Sequence, residues 1–175
     1  MGASGWSYFV PYQADIGAAL RQLQERMFAD GEYSLLPPDW RDLSFEEWLN
    51  PNPEDPSHYS EAERAEIFIE YQRWQTMPEP TTIEALQEWN STEGCHSILD
   101  MAGVIDEPYG EFAKVSPLSD DDLFDLFEDE LPTRELILAH EDELDEFRDR
   151  WEGLYIIVHK DGQPHEIFFA GFSGD

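Results

Sequence analysis

Two apolar runs, Leu154–His159 and Glu166–Ala170, are joined by Lys160-Asp161-Gly162-Gln163. An Asp-Gly pair between runs of β-branched and aromatic residues favours a tight turn whose backbone twist matches two antiparallel strands. An isolated hairpin is marginal in water and needs a further strand or a helix against its apolar face. The rest of the chain must therefore supply partners for this hairpin and a cover for the sheet it begins.

The segments before it provide candidates. Trp6–Val10 reads as a short strand closed by Pro11. Asp15 is placed to cap a helix in which Ile16, Ala19, Leu20, Leu23 and Met27 recur at helical spacing, with Gly31 as its stop. Ser44 with Glu47, Ser60 with Glu63 and Thr81 with Glu84 have capping-box spacing and predict three more helix starts. The helix behind Ser60 carries Ile67, Ile69, Tyr71 and Trp74 on two sides, which predicts a sandwiched position. Leu35–Asp39 reads as a proline-containing bend and Pro51–Pro56 as a stiff exposed loop. Cys95–Met101 reads as a second strand and Val115–Leu118 as irregular. Ser119 caps an acidic helix through Glu128, and Thr133 opens what reads as the longest helix, running to about Trp151. No repeat or linker divides the 175 residues. The expectation is a single α+β domain over 1–175, with a small, mainly antiparallel sheet of about four strands and helices on one face.

Charge limits function more than fold. Forty acidic residues face ten basic ones, a formal net charge of −30. Such a surface repels nucleic acid and anionic lipid, and packing like charges together costs stability. Six Trp, eleven Phe and seven Tyr distinguish the chain from disordered acidic tails, which are poor in aromatics. Cys95 is the only cysteine, so neither an intrachain disulfide nor a thiolate metal cluster is expected. No apolar run approaches a membrane span and no charged apolar leader opens the sequence, so a cytoplasmic location is expected.

Fifteen of the carboxylates fall between Ser119 and Glu152, opposed there only by Arg134, Arg148 and Arg150. On a continuous helix Asp142, Asp145, Glu146 and Asp149 would form one stripe at three-and-four spacing, with Asp121, Asp122 and Asp125 in support. These seven are the candidate binding residues. Asp120 and Asp122 begin a calcium-loop spacing, but Phe124 and Asp125 stand at its fifth and sixth positions, so no metal site is expected. His140-Glu141 begins a zinc-protease pattern that Leu144 breaks. His159 and His165 flank the hairpin turn and could oppose one another across two strands. His96, Ser97 and Asp100 supply the residue types of a hydrolytic triad, but strand neighbours point to opposite faces. No phosphate loop or dinucleotide fingerprint is present, and no cofactor is expected.

His96-Ser97-Ile98-Leu99-Asp100, Glu166-Ile167-Phe168-Phe169-Ala170-Gly171 and the opening Gly2-Ala3-Ser4-Gly5-Trp6-Ser7-Tyr8 resemble stretches of a group of small acidic bacterial proteins of the kind found in actinomycetes. The resemblance covers about a sixth of the chain and implies a bacterial cytosolic origin but no activity.

The leading expectation is a non-enzymatic acidic protein that masks a basic partner, as an immunity protein or antitoxin does, or in a variant form as a nucleic-acid mimic. One rival is a small hydrolase or metal-dependent enzyme using His96 with Asp100, or His159 with His165. Another is a housekeeping domain whose acidity reflects its host.

Overall fold

A computed structural model describes residues 4–34, 43–50, 59–76, 78–89 and 94–174. The bend at Leu35–Asp39, the loop at Pro51–Pro56, Trp40, His58 and the side chain of Trp74 lie outside the described residues.

The hairpin forms where expected. β4 (Glu152–Lys160) and β5 (Gln163–Phe172) pair antiparallel, with Lys160 opposite Gln163. Asp161 and Gly162 both have positive φ, 53° and 73°, as the tight hairpin turn requires. β1 (Gly5–Pro11) pairs with the other side of β5, Gly5 opposite Phe172 and Pro11 opposite Glu166. β5 is therefore an interior strand, which accounts for its run of buried apolar residues from Ile167 to Ala170.

Beyond β4 the sheet continues with β3 (Lys114–Pro117) and β2 (Gly103–Val104), both parallel, to give the order β1-β5-β4-β3-β2. The class is α+β as expected, with five strands rather than four. Val115–Pro117, read as irregular, lies within β3, and Pro117 is the last residue of that short strand. Cys95–Met101 is not a strand. Ser97 Oγ accepts from Leu99 N at 3.2 Å and opens a 3-10 turn at Ile98–Asp100 instead.

Helices cover both faces of the sheet, not one. On one face α1 (Ile16–Asp30), α4 (Ile83–Trp89) and the Ile98–Asp100 turn pack with Trp6, Val10, Val115, Ile167 and Phe169. Asp15 caps α1 by accepting from Ala18 N at 2.8 Å, and Gly31 closes it with φ 70°. On the other face Phe127, Ile137 and Leu144 meet Leu154, Ile156, Val158, Phe168 and Ala170. These come from α5 (Asp120–Phe127), α6 (Arg134–Ala139) and a 3-10 segment at Glu141–Phe147.

α2 (Phe45–Leu49) and α3 (Glu61–Thr76) stack Phe45, Trp48, Phe68 and Tyr71 against each other. Both capping boxes form. Ser44 N donates to Glu47 and Ser60 N to Glu63, each at 2.8 Å. The third differs by one residue: Thr82, not Thr81, accepts from Ala85 N at 3.2 Å to start α4. Among its described side chains Tyr71 is the buried apolar one and Ile69 is 67% exposed, so the described residues do not sandwich α3.

Candidate docking cleft

The acidic run does not fold as one helix. α6 ends at Ala139, where His140 Nδ1 lies 3.0 Å from Leu136 O and its ring meets Phe127 edge-on. Glu141–Phe147 then winds as a 3-10 helix. Residues three apart eclipse in that geometry, so Leu144 and Phe147 fall in one row toward the core. Asp142 with Asp145, and Glu143 with Glu146, fall in two other rows. The tighter winding separates residues four apart but keeps those three apart stacked, so each of these rows still sets like charges one above the other. Asp149 lies beyond its end, and Trp151 (φ 63°) turns the chain into β4. The continuous stripe through Asp142, Asp145, Glu146 and Asp149 is therefore not formed, nor is the helical rail that a nucleic-acid mimic would have drawn from it.

A cleft takes its place. Asp122 of α5, Glu146 of the 3-10 segment, Asp149 and Glu152 line a cavity of about 310 Å³, together with Arg148 and Tyr109. Local bonds fix several of these side chains. Asp122 accepts from Ser119 Oγ at 2.5 Å, and Ser119 Oγ in turn accepts from Asp122 N at 3.1 Å. Glu152 accepts from Asp149 N at 3.2 Å. Gly110 leaves room for the Glu152 carboxylate, since a Cβ there would fall 2.1 Å from Glu152 Oε2. Asp121, Asp125 and Asp142 are exposed and do not line this cleft. Asp145 is outside its lining and bonds Arg148 Nη2.

Arg148 is the unusual member. Its side chain is 5% exposed, and its guanidinium carbon sits 4.7 Å from the centroid of the Phe172 ring. Nη2 is bound to Asp145, while Nε and Nη1 are buried without an acceptor among the described residues. Burial pulls the guanidinium below its ordinary pKa, and Asp145, then Glu141, oppose that shift.

Tyr109 is the exposed aromatic of this cleft, at 76%; Phe112, 67% exposed, lines a separate cavity of about 210 Å³ with Ala113 and Trp151. Phe112 stands 5.5 Å from Trp151, ring centre to ring centre. Tyr109 and Ala113 have φ of 78° and 57°, a conformation that non-glycine residues seldom hold. Ala113 is held there by its own N–H donating to Trp151 O at 2.7 Å and its carbonyl accepting from Ala102 N at 2.6 Å.

The rival sites do not assemble as proposed. His96 is exposed at φ 55°, with Nδ1 2.7 Å from Ser4 Oγ. Asp100 is buried and accepts from Cys95 N and Ser173 Oγ, both at 2.7 Å. His96 and Asp100 thus serve different partners. Burial, with the Asp100 carboxylate beside it, pushes the Cys95 thiol far above its ordinary range and holds it protonated. A bulge between Val158 and His159 sets His159 opposite Pro164, so the two hairpin histidines are not a cross-strand pair. His159 lines a separate cleft of about 400 Å³, which His165 does not reach. Among the described residues no group of three metal-ligating side chains assembles. No described helix is long and apolar enough to cross a membrane.

No family model, curated protein or solved structure matches this chain.

Of the seven carboxylates expected to bind, Asp122, Glu146 and Asp149 line the cleft, beside Arg148, Tyr109 and Glu152, which were not among them. Arg148 is one of three arginines in the carboxylate run, and its sequence does not set it apart from Arg134 and Arg150. Tyr109 lies on a connection whose place against β4 depends on the parallel pairing of β3.

Proposed function

We propose that this protein is a cytosolic, non-enzymatic binding protein that masks a basic surface on a protein partner, in the manner of an immunity protein or antitoxin. The observation that carries this reading is the cleft itself, in which carboxylates from three parts of the fold share one concavity beside an exposed tyrosine. A net charge of −30 accelerates encounter with a cationic partner. Aromatic residues at the centre of contact then supply most of the affinity. Tyr109, which lines the cleft, is suited to that role, and Asp121, Asp125, Asp142 and Asp145 to steering around it.

Affinity capture from host lysate at low salt, eluted by a salt gradient, tests the reading when two neutralised triple variants are compared. In one, Asp122, Glu146 and Asp149 become amides; in the other, Asp121, Asp125 and Asp142 do. Both remove the same charge. A basic protein retained by the wild type and the outer variant, but released early from the cleft variant, is the expected result. Equal elution from all three baits would refute docking at the cleft.

A further inference from the structure

We infer that the free edge of β1 receives a strand of the basic partner, which bonds to the backbone of Gly5, Ser7 and Phe9 and sets a lysine or arginine beside Glu141. This deepens the proposed function and rests on it. β1 ends the sheet, with β5 on its one paired side. Ser173 N donates to Ser4 O and Tyr12 N to His165 O, both at 3.0 Å. Between those two bonds the alternate residues Trp6, Tyr8 and Val10 turn their backbone groups to β5, and Gly5, Ser7 and Phe9 turn theirs away from it. No other described residue bonds to the groups turned away.

Exposed edges are ordinarily blunted by shortness, a charge, a bulge or a proline. The far edge obeys that rule, since β2 is two residues long. β1 does not. It runs for seven residues in unbroken register, carries no charged side chain and meets its proline only at its end, Pro11. Charge selects the occupant. Ser7 Oγ donates to Glu141 Oε1 at 2.7 Å, which fixes a carboxylate beside the edge on the face of Ser7. Arg134, the cation over Phe9, is already paired with Glu166. On an added strand the side chain opposite Ser7 points to the same face, within reach of Glu141. A second copy would bring its own Glu141 and a further net charge of −30 to that place, whereas a basic strand complements it. The 3-10 segment that starts at Glu141 carries Glu146 into the cleft, so one acidic segment links the edge to the cleft.

The test uses the full chain labelled with nitrogen-15, at low salt, and follows amide exchange along β1. The probe is a blocked heptapeptide of alternating valine and lysine. It is compared with the same peptide methylated on every backbone nitrogen, which keeps its charges but cannot donate to β1. In the free chain the Gly5, Ser7 and Phe9 amides should exchange fast beside protected Trp6, Tyr8 and Val10. The unmethylated peptide should slow those three about tenfold, and the methylated one should leave them fast. Ser7→Pro removes a donor that faces off the edge and should weaken the unmethylated peptide about tenfold. Glu141→Gln should weaken it about threefold. If the three amides stay fast with both peptides, edge pairing is wrong. Protection already present in the free chain means that a second copy or another segment of this chain holds the edge, and it overturns the proposal as well. The masking function fails separately, when the wild-type bait retains no basic protein from lysate. A basic protein held equally by wild-type and Ser7→Pro baits leaves masking standing and refutes the edge. The wild-type exchange pattern gives its answer even where a variant does not fold.

Discussion

The two faces of the sheet hold their buried charged side chains in opposite ways. Under α1, Gln24 donates to Ile98 O at 3.1 Å and Met101 O at 2.6 Å, while Asp100 accepts from Cys95 N and Ser173 Oγ. Those bonds stitch a 3-10 turn, α1 and the residue just after β5 into one satisfied network. Under the 3-10 segment of the other face, Arg148 has a single acceptor and four nearby carboxylates that it does not neutralise. A satisfied network fixes a fold, whereas a buried charge with unmet donors costs stability.

The sharpest break in that comparison falls on the face that holds Asp100. A Cβ on Gly171 would lie 2.2 Å from Trp6 and 2.7 Å from the carbonyl oxygen of Glu152, which is backbone and has little freedom to move. Gly171→Ala should cost about 3 kcal/mol or leave the chain unfolded, measured by chemical denaturation. Next in size, Asp100→Ala strands the Cys95 N–H and the Ser173 hydroxyl inside the core, and a loss of about 1–3 kcal/mol is expected in the same assay. Arg148→Met is the contrasting case. It removes a poorly paired buried charge and leaves Asp145, which is 52% exposed, free to hydrate. Folding stability is expected within about 1 kcal/mol of wild type, or higher. A loss as large as that of Asp100→Ala would show Arg148 to be structural and erase the distinction between the faces.

The smallest effect lies outside both faces, at the α2 and α3 caps. Hydrogen bonds from Ser44 and Ser60 lower the carboxyl pKa of Glu47 and Glu63 below the ordinary 4.5. A depressed carboxyl contributes stability that is present above the unfolded pKa and is lost as pH falls through the folded one. Carbon-detected titration should therefore place both midpoints below 4.5, with the two helices fraying only under more acid conditions. Midpoints at 4.5 would show that the boxes do not persist in solution.

Much of the frame was legible because local rules agreed with the final fold. Asp161-Gly162 named its own turn, and Asp15 and Gly31 bracketed the one helix whose apolar spacing was unambiguous. The failures came where a pattern fits two geometries. A three-residue recurrence from Asp142 onward suits a 3-10 helix as well as an α-helix, and Leu144 alone does not decide between them. Cys95–Met101 had the composition of a strand, but Ser97 bonding to Leu99 N turned it into a cap. The cleft was only half readable. Charge along the chain picked out seven carboxylates without separating Asp122, Glu146 and Asp149 from the four outside the cleft, and bringing α5, the 3-10 segment and the Tyr109 connection together is decided by the pairing of β3 with β4, a long-range contact with no local signature.

The interior position of β5 sets an order of assembly. The β4–β5 hairpin closes across two residues, whereas β1 must find Phe172 from Gly5, nearly the whole described chain away. Closing so long a loop is entropically costly before any contact rewards it. The hairpin is therefore the natural seed, and docking of β1 a late and slow event. Until that docking, the apolar β5 presents a bare edge to every other copy in solution, and crowding at high expression turns into strand-to-strand aggregation. Thirty units of like charge supply the long-range repulsion that keeps such half-assembled copies apart.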